Sequence, residues 1–272
     1  MNILYMSNRV IINSEIDADL ASNSLTDFEV FLSKPIQVEH GEMLRLGLKR
    51  VIIPTTIYTF HTEENTVYYI IDNTLHQIQL NTERVFLDGE ELEAHLNTLL
   101  EQNGHSNLNF SFSQSSNKLT FTNNSNNEVR LLSDNLFETE YNGTTLFNNA
   151  IARLGFYSDL RDFPLQNGEG LEADGVIRLM PTKVLHITSD LIGDRDITTS
   201  PNPNYSFSVL NSVMNNVSYG GLLTKSYAKE DMLYFDITST ITRIDIQIRD
   251  DKYRIINNHG AGCYLEFEYE YV

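Results

Sequence analysis

The C-terminal stretch of this chain constrains its fold more than any other feature. Cys263, Leu265, Phe267, Tyr269 and Tyr271 alternate with Tyr264, Glu266, Glu268 and Glu270. Just upstream, Ile244, Ile246 and Ile248 alternate with Arg243, Asp245, Gln247 and Arg249. A period of two marks a strand with one face on a core and the other polar. Two such strands alone are marginal in water, so further strands must pair with them. The polar face of the last strand carries three glutamates, which must stand in solvent or opposite basic groups of a neighbouring subunit. Tyr264, Glu266, Glu268 and Glu270 are therefore candidate subunit-interface residues.

The partners lie at the other end of the chain. Phe28, Val30 and Leu32 alternate with Asp27, Glu29 and Ser33. Leu44, Leu46 and Leu48 alternate with Arg45, Gly47 and Lys49 before Val51, Ile52 and Ile53 run into Pro54. Residues 2–12 read as a weaker strand or arm. After Pro54 the texture changes. Residues 66–71 and 75–80 predict a hairpin around Asp72-Asn73. Residues 89–102 predict a helix: Asp88 caps it, Glu91 sits three residues on, Leu92, Leu96, Leu99 and Leu100 form its apolar stripe, and Gly104 follows its end. Leu108, Phe110 and Phe112 face Leu119 and Phe121 across a Ser115-Ser116-Asn117 turn, a short strand is expected at 128–132 and a short helix near 146–154. Residues 157–180 read as a glycine-containing acidic loop. Strand texture returns at 182–189, 205–214, 220–237 (with a break near Lys229-Glu230-Asp231), 241–249 and 263–271.

The early strands cannot bury both faces by themselves and need the C-terminal ones. Together they number about eight, as in a jelly roll of two packed sheets. The fold expected is mainly β: a single jelly-roll β-sandwich formed by residues 1–55 and 177–272, interrupted by an inserted α+β domain over 56–176. Strand order, and the pair of strands that the insertion separates, are left open by the pattern.

Charge bears on partners. The net charge is −18, with no cluster of Lys and Arg to neutralise phosphates. Direct nucleic-acid binding is not expected. Cys263 is the only cysteine, so no intrachain disulfide forms; its place on an apolar strand face reads as a small buried hydrophobe, and a reducing compartment fits. In the opening MNILYMSNRVIIN, Arg9 interrupts the apolar run, so neither a secretory leader nor, elsewhere, a membrane span is expected. The Asn142-Gly143-Thr144 match to a glycosylation acceptor then carries no weight.

Catalytic, cofactor and metal sites are each expected to be none. The histidines (40, 61, 76, 95, 105, 186 and 259) lack the close spacings of metal ligands. Asp17/Asp19 and Asp190/Asp194/Asp196 lack the glycine and terminal glutamate of a calcium loop and read as solvated turns. No nucleophile elbow, phosphate loop or dinucleotide fingerprint occurs, and Gly220-Gly221 reads as a turn or bulge. A glycoside hydrolase would need two carboxyl groups about 5–10 Å apart in one cleft, a spacing that sequence does not express. Tyr68 and Tyr264 are candidate exposed aromatic anchors.

The runs FEVFLSKPIQVEHGEMLRLGLKRVIIPTTIYTF (28–60), ARLGF (152–156), KVLHITSDLIGD (183–194) and ITRIDIQIRDDKYRIINNHGAGCYLEFEYEY (241–271) together resemble the penton, or minor capsid, proteins of virophages and polinton-like viruses. Each motif mostly encodes strands; their order and spacing carry the likeness over nearly the full length. The resemblance implies a single jelly roll with an inserted outer domain. It also implies a homopentamer that plugs icosahedral vertices, contacts the major capsid protein and has no catalytic residues. By the same analogy the protein is assembled inside the host cell, and the insertion meets a host receptor or fibre. The rival reading is a jelly-roll receptor-binding or glycan-binding attachment protein.

Overall fold

The computed structural model describes residues 8–19, 24–132, 148–157, 164–191 and 208–272. Contacts divide the chain into two compact units, Met1–Ile57 with Thr182–Val272, and Tyr58–Pro181.

The first unit is a long antiparallel hairpin rolled upon itself. Its strands pair first with last and inward from there. β1 (Asn8–Asn13) pairs with β15 (Tyr264–Tyr271), and β2 (Asp27–Ile36) with β14 (Ile241–Arg249). β3 (Leu44–Pro54) pairs with both β12 (Leu222–Ser226) and β13 (Tyr234–Ile237), and β10 (Val184–Ser189) pairs with β11 (Ser208–Met214). Rolling then adds β15 to β3 and β10 to β14, again antiparallel. The result is two sheets, β1-β15-β3-β12/β13 and β11-β10-β14-β2. β12 and β13 share one position along β3, separated by a 3-10 turn at Lys229–Asp231, so eight positions are filled. Nested hairpin pairs closing into two packed sheets make a jelly roll. The insertion leaves after β3 and returns before β10.

The two sheets bury a common core in which Leu44, Leu46, Leu48, Val51, Ile53, Leu265 and Phe267 of one sheet meet Phe28, Val30, Leu185, Ile187, Ile244, Ile246 and Ile248 of the other. The inward positions on β3 change parity between Leu48 and Val51. The pairing with β15 explains why: Leu48 faces Phe267 and Arg50 faces Glu266, leaving Lys49 as an extra residue. This bulge lets β3 change phase while β15 alternates without interruption.

In the second unit β4 (Thr66–Ile71) and β5 (Thr74–Gln79) form a hairpin whose turn residues, Asp72 and Asn73, both have positive φ, 45° and 67°. That geometry matches the twist of the flanking strands. β8 (Val129–Leu131) completes this sheet. A second sheet orders β6 (Leu108–Ser113), β7 (Lys118–Asn123) and β9 (Glu169–Glu172). β9 lies within the stretch expected to be loop; EGLE holds a single apolar side chain, so no alternation announced it. The helix α2 (Gly89–Gln102) places buried Leu92, Leu96 and Leu100 against this core. Asp88 accepts from the Glu91 N–H at 2.8 Å, and the Glu91 carboxylate reaches back to the Leu87 N–H at 3.0 Å. Asn97 of α2 both donates to and accepts from the Phe110 backbone, which satisfies part of the β6 edge.

Two further expectations are corrected. Residues 151–155 form a turn rather than a helix: Asn148 and Gly155, both at positive φ, bracket it, and its carbonyls close only single turns. Residues 146–147 of that expected helix, 2–7 of the expected arm and 205–207 of the expected strand lie outside the described residues. Tyr68, expected as an exposed anchor, is buried with Ile70 and Leu132.

Candidate assembly face on strand β15

β15 is an interior strand, flanked by β1 and β3, so its polar face is overlaid by side chains from both neighbours. Glu266 is 8% exposed and Glu268 6%. Buried carboxylates need a countercharge, because desolvation otherwise favours the neutral acid. Each finds one within the chain. Lys49 Nζ, carried outward by the β3 bulge, lies 2.5 Å from Glu268 Oε2. Arg9 Nη1 of β1 lies 3.2 Å from Glu266 Oε1, close enough for an ion pair but without hydrogen-bond alignment. Lys229, in the turn between β12 and β13, donates to Glu270 Oε2 at 2.7 Å, and that contact holds its ammonium above the usual lysine range. Arg45 of β3 pairs with Asp236 of β13 at 3.5 Å. Tyr234 leans over Gly47, the β3 position on the same face, with its hydroxyl buried and unpartnered. Burial raises the Tyr234 pKa.

Sequence periodicity put the glutamates on the correct face but offered them only solvent or a neighbouring subunit. The structure shows a third arrangement for Glu266 and Glu268, which are buried and neutralised from within. Tyr264 is half-buried at the start of the strand.

Other titratable groups also serve the fold. Asp245 of β14 accepts from Ser189 Oγ at 2.9 Å and from the Asp190 N–H at 2.7 Å. Burial first, and then a hydrogen bond with the Asp190 carboxyl, push its pKa up to about 7. Arg243 holds Asp190 at 3.0 Å and Glu29 at 2.8 Å. Asp194 and Asp196 lie outside the described residues, as do Asn142–Thr144. Asp17 accepts from the Asn13 N–H, an intrahelical-turn contact rather than a ligand set. His76 and His105 meet edge-on at 4.6 Å beside Tyr69, and burial lowers the His105 pKa. The Tyr69 hydroxyl has no partner, and burial pushes its pKa up to about 12. His186 stacks on Tyr253 and bonds Ser212 at 2.8 Å. Cys263 is buried, and burial pushes its thiol up to about 11. Gly220, at φ 78°, turns the chain into β12.

A cleft of ≈ 350 Å³ opens at the start of α2, lined by Leu87, Asp88, Glu90, Phe112, Gln114 and Ile177 among others. Asp88 is engaged in capping and Glu90 is hydrogen-bonded to Gln114, so neither carboxylate is set as an acid–base partner of the other. Among the described residues no group of three or more His, Cys, Asp or Glu has the geometry to hold a metal ion, and no helix is long and apolar enough to cross a membrane.

No model of a known protein family and no curated protein matches this chain. Among solved structures, the chain is similar to the mavirus penton protein, crystallised in selenomethionine-labelled form, at 13% identity over 99% of this chain and 100% of that one, with a TM-score of 0.49.

Proposed function

We propose that this chain is a structural capsid protein of the penton type, a subunit that forms homopentamers at icosahedral vertices and packs against the major capsid protein. The observation that carries this reading is the architecture: a jelly roll of eight strand positions, interrupted between β3 and β10 by an α+β unit. A single jelly roll with an inserted domain is what the resemblance of residues 28–60, 152–156, 183–194 and 241–271 to penton proteins implies. The titratable groups agree with it: Asp245, Glu268, His186 and Cys263 are engaged in folding contacts, and Asp88 and Glu90 at the α2 cleft are held by the helix cap and by Gln114. The reading places the protein in the virion, assembled inside the host cell, and gives the inserted unit to a host receptor or fibre. On the β15 face, contact with a neighbour falls to Tyr264, Glu270 and the exposed parts of Arg9 and Lys229, because Glu266 and Glu268 are already covered.

The test is the native mass of the purified protein together with imaging of particles. Five-fold rings, and density for this chain at vertices, are expected. A protein that stays monomeric and is absent from virions overturns the proposal. Assembly is expected to respond to salt, because a net charge of −18 makes copies repel and exposed charges are screened within about 10 Å at ordinary ionic strength.

The cleft at α2 favours a second reading, a glycan-binding attachment protein, since the Phe112 ring and the Gln114 amide there are groups that sugars contact. Binding of oligosaccharides that is lost in Gln114→Ala would support it.

A further inference from the structure

Histidines stand at two places where α2 is tied to the β4/β5 hairpin. His95, on α2, accepts from the Asn81 N–H just past the end of β5, with 3.4 Å between its Nε2 and that nitrogen. Its ring also lies 5.1 Å from the ring of Phe86. His105, just past the end of α2, meets His76 of β5 edge-on at 4.6 Å, and both rings contact Tyr69 of β4. Leu96 and Leu100, which lie between His95 and His105 in the chain, share one buried core with Val67, Tyr69 and Ile78 of the hairpin.

Both contacts need uncharged imidazoles. A ring nitrogen that accepts a hydrogen bond carries no proton, and protonation would turn Nε2 of His95 into a donor facing the Asn81 N–H. Two imidazoles in contact cannot both charge without repulsion. The surrounding groups relieve neither. Beside His95 stands Arg84, whose guanidinium lies 4.9 Å from the centre of the same Phe86 ring. Glu91, one turn earlier on α2, is committed to Arg84 at 2.6 Å and to the Leu87 N–H at 3.0 Å. Glu83, in the segment after β5, and Glu101, in the last turn of α2, are exposed. At the hairpin tip Asp72 accepts from the Glu128 N–H, and the Glu128 carboxylate pairs with Arg130. The Tyr69 hydroxyl, raised to about 12, stays neutral. Burial first, then Arg84, lowers the His95 pKa; burial first, then His76, lowers that of His105. The carbonyl end of α2 favours one cation near His105, but His76 would bring a second.

We propose that the docking of α2 is an acid-sensitive contact: protonation of His95 and of the His76–His105 pair loosens the helix from the β4/β5 hairpin and uncovers its buried leucines, while the jelly roll stays closed. The sign follows from linkage. A histidine held below its ordinary value of 6.5 binds its proton less tightly in the folded chain than in the unfolded one. Its contribution is therefore complete above about pH 6.5 and is lost as pH falls. The roll has no such contact. Its α-helix, α1 (Ser14–Asp17), is a single turn without histidine. His186 of β10 is lowered by burial, but Asp251 and Asp250 oppose that shift. Asp245, raised to about 7, makes the roll more stable as pH falls. Acid thus acts in opposite directions on the two units, and histidine is the side chain that titrates in this range. The proposal stands independently of the capsid reading.

The experiment is amide hydrogen exchange on the full chain at about pH 7 and about pH 5, corrected for intrinsic rates and read peptide by peptide. Protection across residues 89–105 should fall several-fold at the lower pH, and protection across 241–271 should hold. The double variant His95→Gln/His105→Gln keeps a side-chain acceptor available at residue 95 and leaves His76 without a second imidazole, so its α2 should stay protected at both pH values. A magnetic-resonance titration of the imidazole ring protons in the unmodified chain gives a readout that does not depend on any variant: His95 and His105 should titrate below 6.5. Protection of α2 that is the same at both pH values overturns the proposal. So does a loss as large in the double variant as in the parent, a loss shared equally by 241–271, or titration of both histidines at or above 6.5.

Discussion

Replacing Glu268 with lysine separates a face that closes on itself from one that waits for a partner. In the structure Glu268 is 6% exposed and its carboxylate lies 2.5 Å from the Lys49 ammonium, itself only partly exposed. Glu268→Lys removes the anion and sets two ammonium groups together under the cover of Tyr234 and neighbouring side chains. Breaking one partner out of a buried pair costs about 3–5 kcal/mol. The partial exposure of Lys49 places this case at the lower end, about 3 kcal/mol. For a unit of this size about 3 °C accompanies each kcal/mol, so the melting temperature should fall by about 9 °C. The assay is thermal and urea unfolding of the unassembled chain, followed by a probe of the sandwich because the two units need not unfold together. Glu270→Lys is the control: Lys229, its partner, is more than half exposed, and its shift should be much smaller. A Glu268→Lys variant as stable as the parent, yet defective in assembly, would refute the argument. It would mean that the carboxylate acts on a neighbouring subunit and not on its own sheet.

Three further outcomes follow from the same contacts. The pKa of Asp245, raised to about 7 in the folded chain, lies above that of an ordinary carboxyl, so the folded state holds this proton more tightly than the unfolded state does. Its contribution is present in acid and is lost as pH rises through about 7. Stability should therefore fall between about pH 4 and about pH 7, and Asp245→Asn, which keeps the neutral shape, should flatten that fall in a pH series of urea midpoints. Asp88→Ala removes the acceptor that caps α2 and should cost the inserted unit about 1 kcal/mol, read from the denaturation of that unit. Cys263, buried with its thiol raised to about 11, should resist alkylation at neutral pH until denaturant opens the sandwich; rapid labelling of the native chain would contradict its placement.

Much of the secondary structure was legible because one physical signal dominates it. Alternation at 27–33, 241–249 and 263–271 reflects a core on one side and water or ions on the other, and it located β2, β14 and β15. Asp88, Glu91 and the leucine stripe located α2 for the same local reason. Where the local signal was weak, the reading missed. β9 has one apolar residue and owes its place to the edge of β7. The turn at 151–155 has helical composition but is held to single turns by Asn148 and Gly155.

At the candidate site the division is sharper. Sequence alone determined which residues share the polar face of β15, because parity along a strand is a local property. Only the tertiary structure decided what neutralises the glutamates. Lys49 is 219 residues from Glu268 and Lys229 is 41 from Glu270, and no local pattern links such positions. The nested pairing of first strand with last brings Arg9 beside Glu266, and the bulge at Lys49 turns an ammonium onto Glu268. Pairing over such distances is set by the closure of the whole roll, and that is where the chemistry of this face was decided.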